Sequence, residues 1–368
     1  MSLALWLQRV WRTRGPIAWL LRPFSALYRG LSAAHWRAYA QGRRPISRPP
    51  LPVVVVGNWI VGGGGKTPTL MAIIQQLQAQ GLRVGVISRG YGRVGGQSVQ
   101  VACATSTAQD LGDEPLLLWR RTGAPLAVGA DRGQAVAALR QQHPNLQLIL
   151  SDDGLQHHAL ARDLTVLVFD RRGLGNGWLL PAGPLRQDQD RPVLPGSRAD
   201  TLVLYTDGVV STARAGYVAH RRLSGAVRLE AWWAQRWDTQ QPLTELRGRP
   251  LIAAAGLAQP EGFFALLHEA GLTFQALPQP DHHDFAMLPW PPGSEVVVTE
   301  KDATKLSPER LAPGDRVWVL PLDLQPEPAF RAALLHALQP WLGSASHGPT
   351  SDRTSGLPPV QGPAATEP

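Results

Sequence analysis

One cysteine, Cys103, is present in 368 residues. That excludes an internal disulfide, so the fold must hold by burial, and it fits a reducing or redox-indifferent compartment. Lysine is nearly as scarce, with Lys66, Lys301 and Lys305 set against 33 arginines. Such a bias reflects coding composition, which converts lysine wherever arginine serves equally well. The three that remain are candidates for places that need a compact ammonium instead of a planar fork. Long apolar runs are missing as well. The stretch over 17–36 is interrupted by charge after about seven residues, against the roughly 20 that span a bilayer. Nothing at the N-terminus reads as a cleavable signal. With 44% apolar and only 17% charged residues, wholesale disorder is excluded. At roughly 150 residues per domain the length suggests two domains.

Acidic residues are absent from the first 48 positions, which carry nine arginines; the rest of the chain sums to one negative charge. The formal +8 therefore describes a nearly neutral body with a basic arm. Within that arm, IAWLLRPFSALYRGLSAAHW reads as a helix from Phe24 onward. It places Arg22, Ser25, Arg29 and Ser32 near one stripe, and Trp19, Leu20, Phe24, Leu27, Tyr28 and Leu31 over the rest. Four of the 13 tryptophans lie here: Trp6, Trp11, Trp19 and Trp36. Arginine beside tryptophan on an acid-free amphipathic helix suits an anionic membrane surface. A helix packed on the body with solvated arginines is the alternative. The apolar content argues against a nucleic-acid arm, which would show strongly salt-dependent binding.

Beyond Pro45–Pro52, short apolar runs alternate with helical stretches, the pattern of a mostly parallel α/β sheet. Strands are expected at Val53–Val56, Val84–Ile87, Leu126–Val128, Leu146–Leu150, Leu164–Phe169 and Leu202–Tyr205. Helices are expected at Lys66–Gln80, Asp113–Thr122 and Asp131–Gln142. The Gly/Pro-rich loop Arg171–Gly196 is too long for a simple connection and reads as functional. The expected organisation is a basic amphipathic arm (1–48), a P-loop domain (49–215), a β-ribbon linker (216–248), a smaller α/β unit (249–342) and a disordered tail (343–368). The fold class is α/β: a P-loop NTPase-like, mostly parallel sheet with helices on both faces, plus the smaller unit and the arm.

The strongest chemical signal is VVVVGNWIVGGGGKTPT, Val53–Thr69. A buried strand enters a glycine loop whose amides can wrap phosphates at a helix N-terminus. Ile60, Val61, Gly62, Gly63, Gly64, Gly65, Lys66 and Thr67 are the candidate ATP-binding residues. Lys66 would reach the β- and γ-phosphates, and the Thr67 hydroxyl would bind Mg²⁺. A strict P-loop has glycine where Ile60 stands. The second signal, LQLILSDDGLQHH, ends an apolar strand in Asp152 and Asp153, at the edge where a Walker B carboxylate meets the metal. SRGYGR (Ser88–Arg93) and GDEP (Gly112–Pro115) fall at the same edge. PDHHDF (Pro280–Phe285) pairs histidines with carboxylates, and TEKDATK (Thr299–Lys305) holds two of the three lysines. A two-metal hydrolase site built from His157, His158, His282 and His283 with Asp152, Asp153, Asp281 and Asp284 is a rival, although adjacent histidines do not easily aim at one ion.

Taken together, VVVVGNWIVGGGGKTP, SRGYGR, GDEPLLL, DDGLQHHALARD, GLGNGWLLPAGPLR and TEKDATK occur in the order seen in the tetraacyldisaccharide 4′-kinases, the lipid A 4′-kinase family. The resemblance covers about Pro50 to Leu342, and the basic N-terminus has a counterpart in that family. It implies transfer of the ATP γ-phosphate to the 4′-hydroxyl of a tetraacylated glucosamine disaccharide 1-phosphate, with Mg²⁺, by an enzyme at the cytoplasmic face of the inner membrane. It names no protein partner. Carried over to this chain, the family's Asp–His base falls on Asp113 and His282, and the DDG carboxylates on Asp152 and Asp153. Arg186 would face the lipid phosphates or the nucleotide, and Arg89 is a second substrate-binding candidate. The chain departs from the family pattern at Ile60, usually Thr or Ser, at Gln187, often an acid, and at AAGLAQP (Ala254–Pro260). A membrane-associated switch ATPase of the partitioning or site-placing type shares GG-x-GKT, but it carries an early loop lysine, and none of the six residues before Lys66 is one.

Overall fold

The computed structural model describes residues 3–342 except 95, 97, 258 and 282, with the side chains of 3–5 and 342 also outside the description. The tail expected to be disordered, 343–368, lies outside the described residues. The arm forms α1 (Leu3–Val10), α2 (Pro16–Leu20) and α3 (Arg22–Ala40). Next come β1 (Val53–Gly57), α4 (Lys66–Ala79), β2 (Val84–Ser88), β3 (Gln100–Val101), α5 (Ala108–Leu111), α6 (Asp113–Thr122) and β4 (Leu126–Val128). They are followed by α7 (Arg132–Gln142), β5 (Leu148–Asp152), β6 (Leu164–Phe169), β7 (Thr201–Tyr205), β8 (Tyr217–Leu223), β9 (Val227–Arg228) and α8 (Leu229–Trp233). The chain ends in β10 (Leu251–Ala255), α9 (Glu261–Glu269), β11 (Phe274–Pro278), β12 (Glu295–Thr299), α10 (Glu300–Ala303), β13 (Arg316–Leu320), β14 (Leu322–Pro326) and α11 (Pro328–Leu342).

The larger sheet has the order β14-β8-β7-β6-β1-β5-β2-β4-β3, with β3 and β14 antiparallel to their neighbours and the rest parallel. Central β1 is buried on both faces, which is why it reads as an unbroken valine run. Alternation sends Val54 and Val56 toward α4, where Leu70, Ile73, Ile74 and Leu77 are buried. Val53 and Val55 face the opposite layer, packed with Ala135, Val136 and Leu139 of α7. The smaller sheet has the order β11-β10-β12-β13-β9, parallel except for β9.

The expected linker and second unit are built differently. Residues 216–248 make no free-standing ribbon. Strand β8 runs parallel beside β7 and antiparallel to β14, β9 adds to β13, and Leu229–Trp233 is helical. The physical reason is burial: Ala219 lies in the core of the larger sheet with Tyr217 packed against it, while Val227, Leu229 and Trp232 fill that of the smaller one. Residues 249–342 also do not stay in one unit. Strand β14 returns to the larger sheet, and α11 buries Phe330, Leu334 and Leu338 there. Helix α6 joins the two units, with Leu116 and Leu118 in one core and Leu117 in the other. Its Arg121 pairs with Glu300 at 3.2 Å and also with Asp323.

The arm lies on the body with an unusual orientation. Its polar stripe faces inward: Ser25 is buried, donating to Leu179 O at 2.9 Å and accepting from Ala182 N. Arg29 pairs with Asp188 at 3.2 Å, and Arg191 donates to Ser32 Oγ at 3.0 Å. Tyr28, expected on the apolar face, turns inward too. Outward point Leu20, Phe24, Leu27 and Leu31, each between 59% and 76% exposed. No helix among the described residues is long and apolar enough to cross a membrane.

Candidate active site

The glycine loop leaves the C-terminal edge of β1, between β5 and β6, where an open α/β sheet makes its ligand crevice. Ile60 is buried and bridges to Leu185, and Val61 N donates to Pro184 O at 2.9 Å. These two backbone contacts thus fix the loop against Arg171–Gly196. Gly64 and Gly65 have φ of +77° and +80°, and a Cβ at each would lie 2.6 Å from Asn58 Nδ2 and 2.7 Å from Thr206 Oγ1. Only glycine gives that backbone its course, with α4 beginning immediately after it. Lys66 Nζ donates to Gly63 O at 3.2 Å and to Asn58 Oδ1 at 3.4 Å, and lies 3.8 Å from Asp153 Oδ1.

The aspartate pair divides. Asp152 ends β5, paired in register with Val56, and accepts from Ser88 Oγ at 3.0 Å through Oδ2. Its Oδ1 is buried without a hydrogen-bond partner among the described residues. Burial, then the nearby Glu114 and Asp153 carboxylates, push its pKa up to about 6 against the opposing pull of Lys66 and Arg132. Asp153 adopts φ of +45° and swings toward Arg186, which donates to its two oxygens at 3.0 and 2.7 Å. Burial raises the Asp153 pKa, but the Arg186 hydrogen bonds with the Lys66 and Arg132 charges outweigh it and hold the group below its ordinary value.

The N-termini of α4 and α6 meet here, with Thr67 Oγ1 donating to Glu114 Oε2 at 3.2 Å. That contact sets the GDE turn beside the glycine loop. Gly112 precedes it with φ of +92°, and a Cβ there would lie 2.6 Å from Tyr91 O, so the turn packs directly on SRGYGR. Asp113 Oδ2 is 3.9 Å from Lys305 Nζ. His282 lies outside the described residues. Its loop is anchored beside it, with Asp281 Oδ1 3.5 Å from Lys301 Nζ and Phe285 N donating to His283 Nδ1 at 3.0 Å. Arg89 is exposed at the end of β2, where its charge bears on Arg132 and His157.

Two further site residues have roles that the motifs did not assign. Asn58, fully buried, accepts from Arg186 at 2.6 Å through Oδ1 and from Gln156 at 3.2 Å through its carbonyl. Arg132, also buried, donates to Ser151 Oγ at 2.6 Å and to Asp153 O at 3.2 Å. A buried polar residue next to an apolar strand was the available signal for Asn58; Arg132 gave none. Gln187 accepts from Gln156 at 3.0 Å, so an amide stands where an acid is frequent in the resembled family. Among the described residues no three His, Cys, Asp or Glu side chains gather into a metal cluster. An ion carried mainly by nucleotide phosphates needs no such cluster. The open Asp152 oxygen beside the Thr67 hydroxyl's helix end, at an edge crowded with carboxylates, fits Mg²⁺.

A glycine loop on the central parallel strand, a lysine and threonine that open the following helix, and the acidic end of the neighbouring strand define a P-loop kinase. Comparison with known proteins resolves the family. The family model "Tetraacyldisaccharide-1-P 4'-kinase" matches residues 17–339. The tetraacyldisaccharide 4′-kinase of Methylibium petroleiphilum is 50% identical over 342 residues, 92% of this chain and 94% of that one. That of Leptothrix cholodnii is 47% identical over 341 residues, 91% and 96% of the two chains. A solved structure of LpxK from Aquifex aeolicus in complex with ATP superposes with TM-score 0.72 at 25% identity, covering 87% of this chain and 99% of that one. The chain belongs to the tetraacyldisaccharide-1-P 4′-kinase family.

Proposed function

We propose that the chain transfers the γ-phosphoryl group of ATP to the 4′-hydroxyl of a tetraacylated glucosamine disaccharide 1-phosphate. The observation that carries this reading is the Thr67–Glu114 contact, which brings the GDE turn to the mouth of the phosphate loop. Loop amides from 62–65 and the α4 N-terminus cradle the phosphates, with Ile60 and Val61 anchoring the loop instead, and Lys66 exchanges its loop oxygens for phosphate oxygens. Thr67 and Asp152, with Asp153 at the same edge, would hold a Mg²⁺ ion, which would supply neutralisation of phosphate charge. Arg186 keeps Asp153 ionised, and Arg186 and Arg89 flank the place for the anionic substrate groups.

A sugar hydroxyl is a poor nucleophile near neutral pH, and an aspartate alone is a weak base, so Asp113 acts with His282. The pair takes the hydroxyl proton, the oxygen attacks the γ-phosphorus, and the bond to the β,γ-bridging oxygen breaks to release ADP. Asp113→Ala and His282→Ala are expected to lower turnover by about 100-fold or more while ATP binding stays nearly intact. Wild-type turnover in either variant removes that residue from the base.

The arm fits the surface of a membrane containing anionic lipid, at its cytoplasmic face. An amphipathic helix that hydrogen-bonds inward and shows leucine and phenylalanine outward offers those side chains to an acyl boundary, with the exposed Arg9, Arg12, Arg37 and Arg43 available for headgroups.

A further inference from the structure

Lys305 is one of three lysines among 36 basic residues, and it stands where the two units meet. Its side chain is 8% exposed. The ammonium lies 3.6 Å from Asp302 Oδ1 and 3.9 Å from Asp113 Oδ2, and Nζ has no hydrogen-bond partner among the described residues. The Phe285 ring, 5.7 Å away, covers another side. Asp302 is fully buried and cannot follow a moving cation. Its oxygens accept from Thr299 Oγ1 at 2.7 Å and from Gly256 N at 3.2 Å, which ties it to the ends of β12 and β10. The loop carrying His282 and His283 rests on the same platform, since a Cβ on Gly256 would meet Asp302 Oδ1 at 2.8 Å and His283 Cβ at 3.3 Å.

We propose that Lys305 is a positioning residue for phosphoryl transfer: anchored by Asp302 on the smaller sheet, its ammonium fixes the Asp113 carboxylate, on the larger sheet's α6, against the histidine loop. The inference rests on the reading of Asp113 as the base. A compact ammonium suits this task because it sits between two carboxylates as a point charge, where a guanidinium would demand a planar, wider fork. The contact at 3.9 Å is ionic, so it holds the carboxylate near one place by charge. A base displaced by about 1 Å loses about 100-fold in rate.

The experiment compares wild-type enzyme with Asp113→Ala, Lys305→Met, Lys305→Arg and the double variant Asp302→Asn/Lys305→Met, measuring kcat, KM for ATP and melting temperature. The double variant removes both buried charges, so it stays folded if Lys305→Met does not. Lys305→Met, or the double variant in its place, is expected to lose about 100-fold in kcat with KM for ATP within about threefold. Lys305→Arg is expected to recover part of that loss. A double variant with wild-type kcat, beside an inactive Asp113→Ala, overturns the positioning role alone. Full activity in Asp113→Ala overturns the base itself.

Discussion

The Tyr28 hydroxyl donates to the backbone carbonyl of Arg186 at 2.7 Å, so the arm touches the residue that clamps Asp153. The same short stretch, Leu179–Arg191, receives Ser25, Arg29 and Ser32 of α3 on one side. On the other it supports the glycine loop through Arg186 N to Trp59 O at 2.7 Å. A helix docked by its polar side leaves its apolar side as the outer surface. Replacing Phe24, Leu27 and Leu31 together by serine is expected to weaken sedimentation with anionic vesicles by at least about tenfold, because each buried side chain contributes about 1.5–3 kcal/mol. Thermal stability should change little. Deleting residues 1–44 should likewise reduce vesicle binding, and equal binding by both variants would leave the arm without a membrane role.

Arg186 serves Asp153 and Asn58 with one planar fork. Lysine cannot make both contacts. Arg186→Lys is therefore expected to lower kcat by about 10- to 100-fold, with the aspartate and Lys66 free to pair more closely. Steady-state kinetics at saturating ATP measure this, and an unaltered kcat would mean the clamp is dispensable.

Gly65→Ala puts a methyl group 2.7 Å from Thr206 Oγ1 in a backbone conformation that alanine resists. The loop must move, so ATP affinity should fall by about tenfold or more while the sheet survives, given that β1 is buried independently of the loop. Nucleotide titration followed by calorimetry reads the change; native affinity would show a more compliant loop than the contacts imply.

His158 packs against His35 and Tyr39 of α3, with ring centroids 5.6 and 5.9 Å away. Burial, then the charges of His35, Arg191, Arg162 and His157, lower its pKa to about 4, from an ordinary 6.5. The folded state thus holds the proton more weakly than the unfolded chain. Its contribution to stability is complete above pH 6.5 and is lost as pH falls toward 4. Melting temperature should drop more steeply over that window in the wild type than in His158→Asn. Parallel curves would remove His158 from the acid response.

The parts legible in the sequence are those whose cause is local. Val53–Thr69 shows its strand, turn and helix because each is written in adjacent residues: valines buried on two faces, glycines at positive φ, and Lys66 at a helix start. The strand expected at 146–150 lies at 148–152, a shift that brings Asp152 into its last position. Other features depend on partners far along the chain. Arg132 reads as one more arginine until Ser151 and Asp153 fold over it. Tyr217–Leu223, half-buried in pattern, could have joined either sheet, and its place beside β7 and β14 follows from where β14 returns. The bridge from Asp302 to Asp113 spans two sheets, so motif spacing along TEKDATK could not show it.

The most direct measurement uses γ-labelled ATP with tetraacyl disaccharide 1-phosphate in mixed micelles, followed by separation of lipid from free phosphate. Label in the lipid, at the 4′ position and absent with Asp113→Ala, is the expected result. Release of free phosphate with no labelled lipid would contradict the assignment and identify an ATPase.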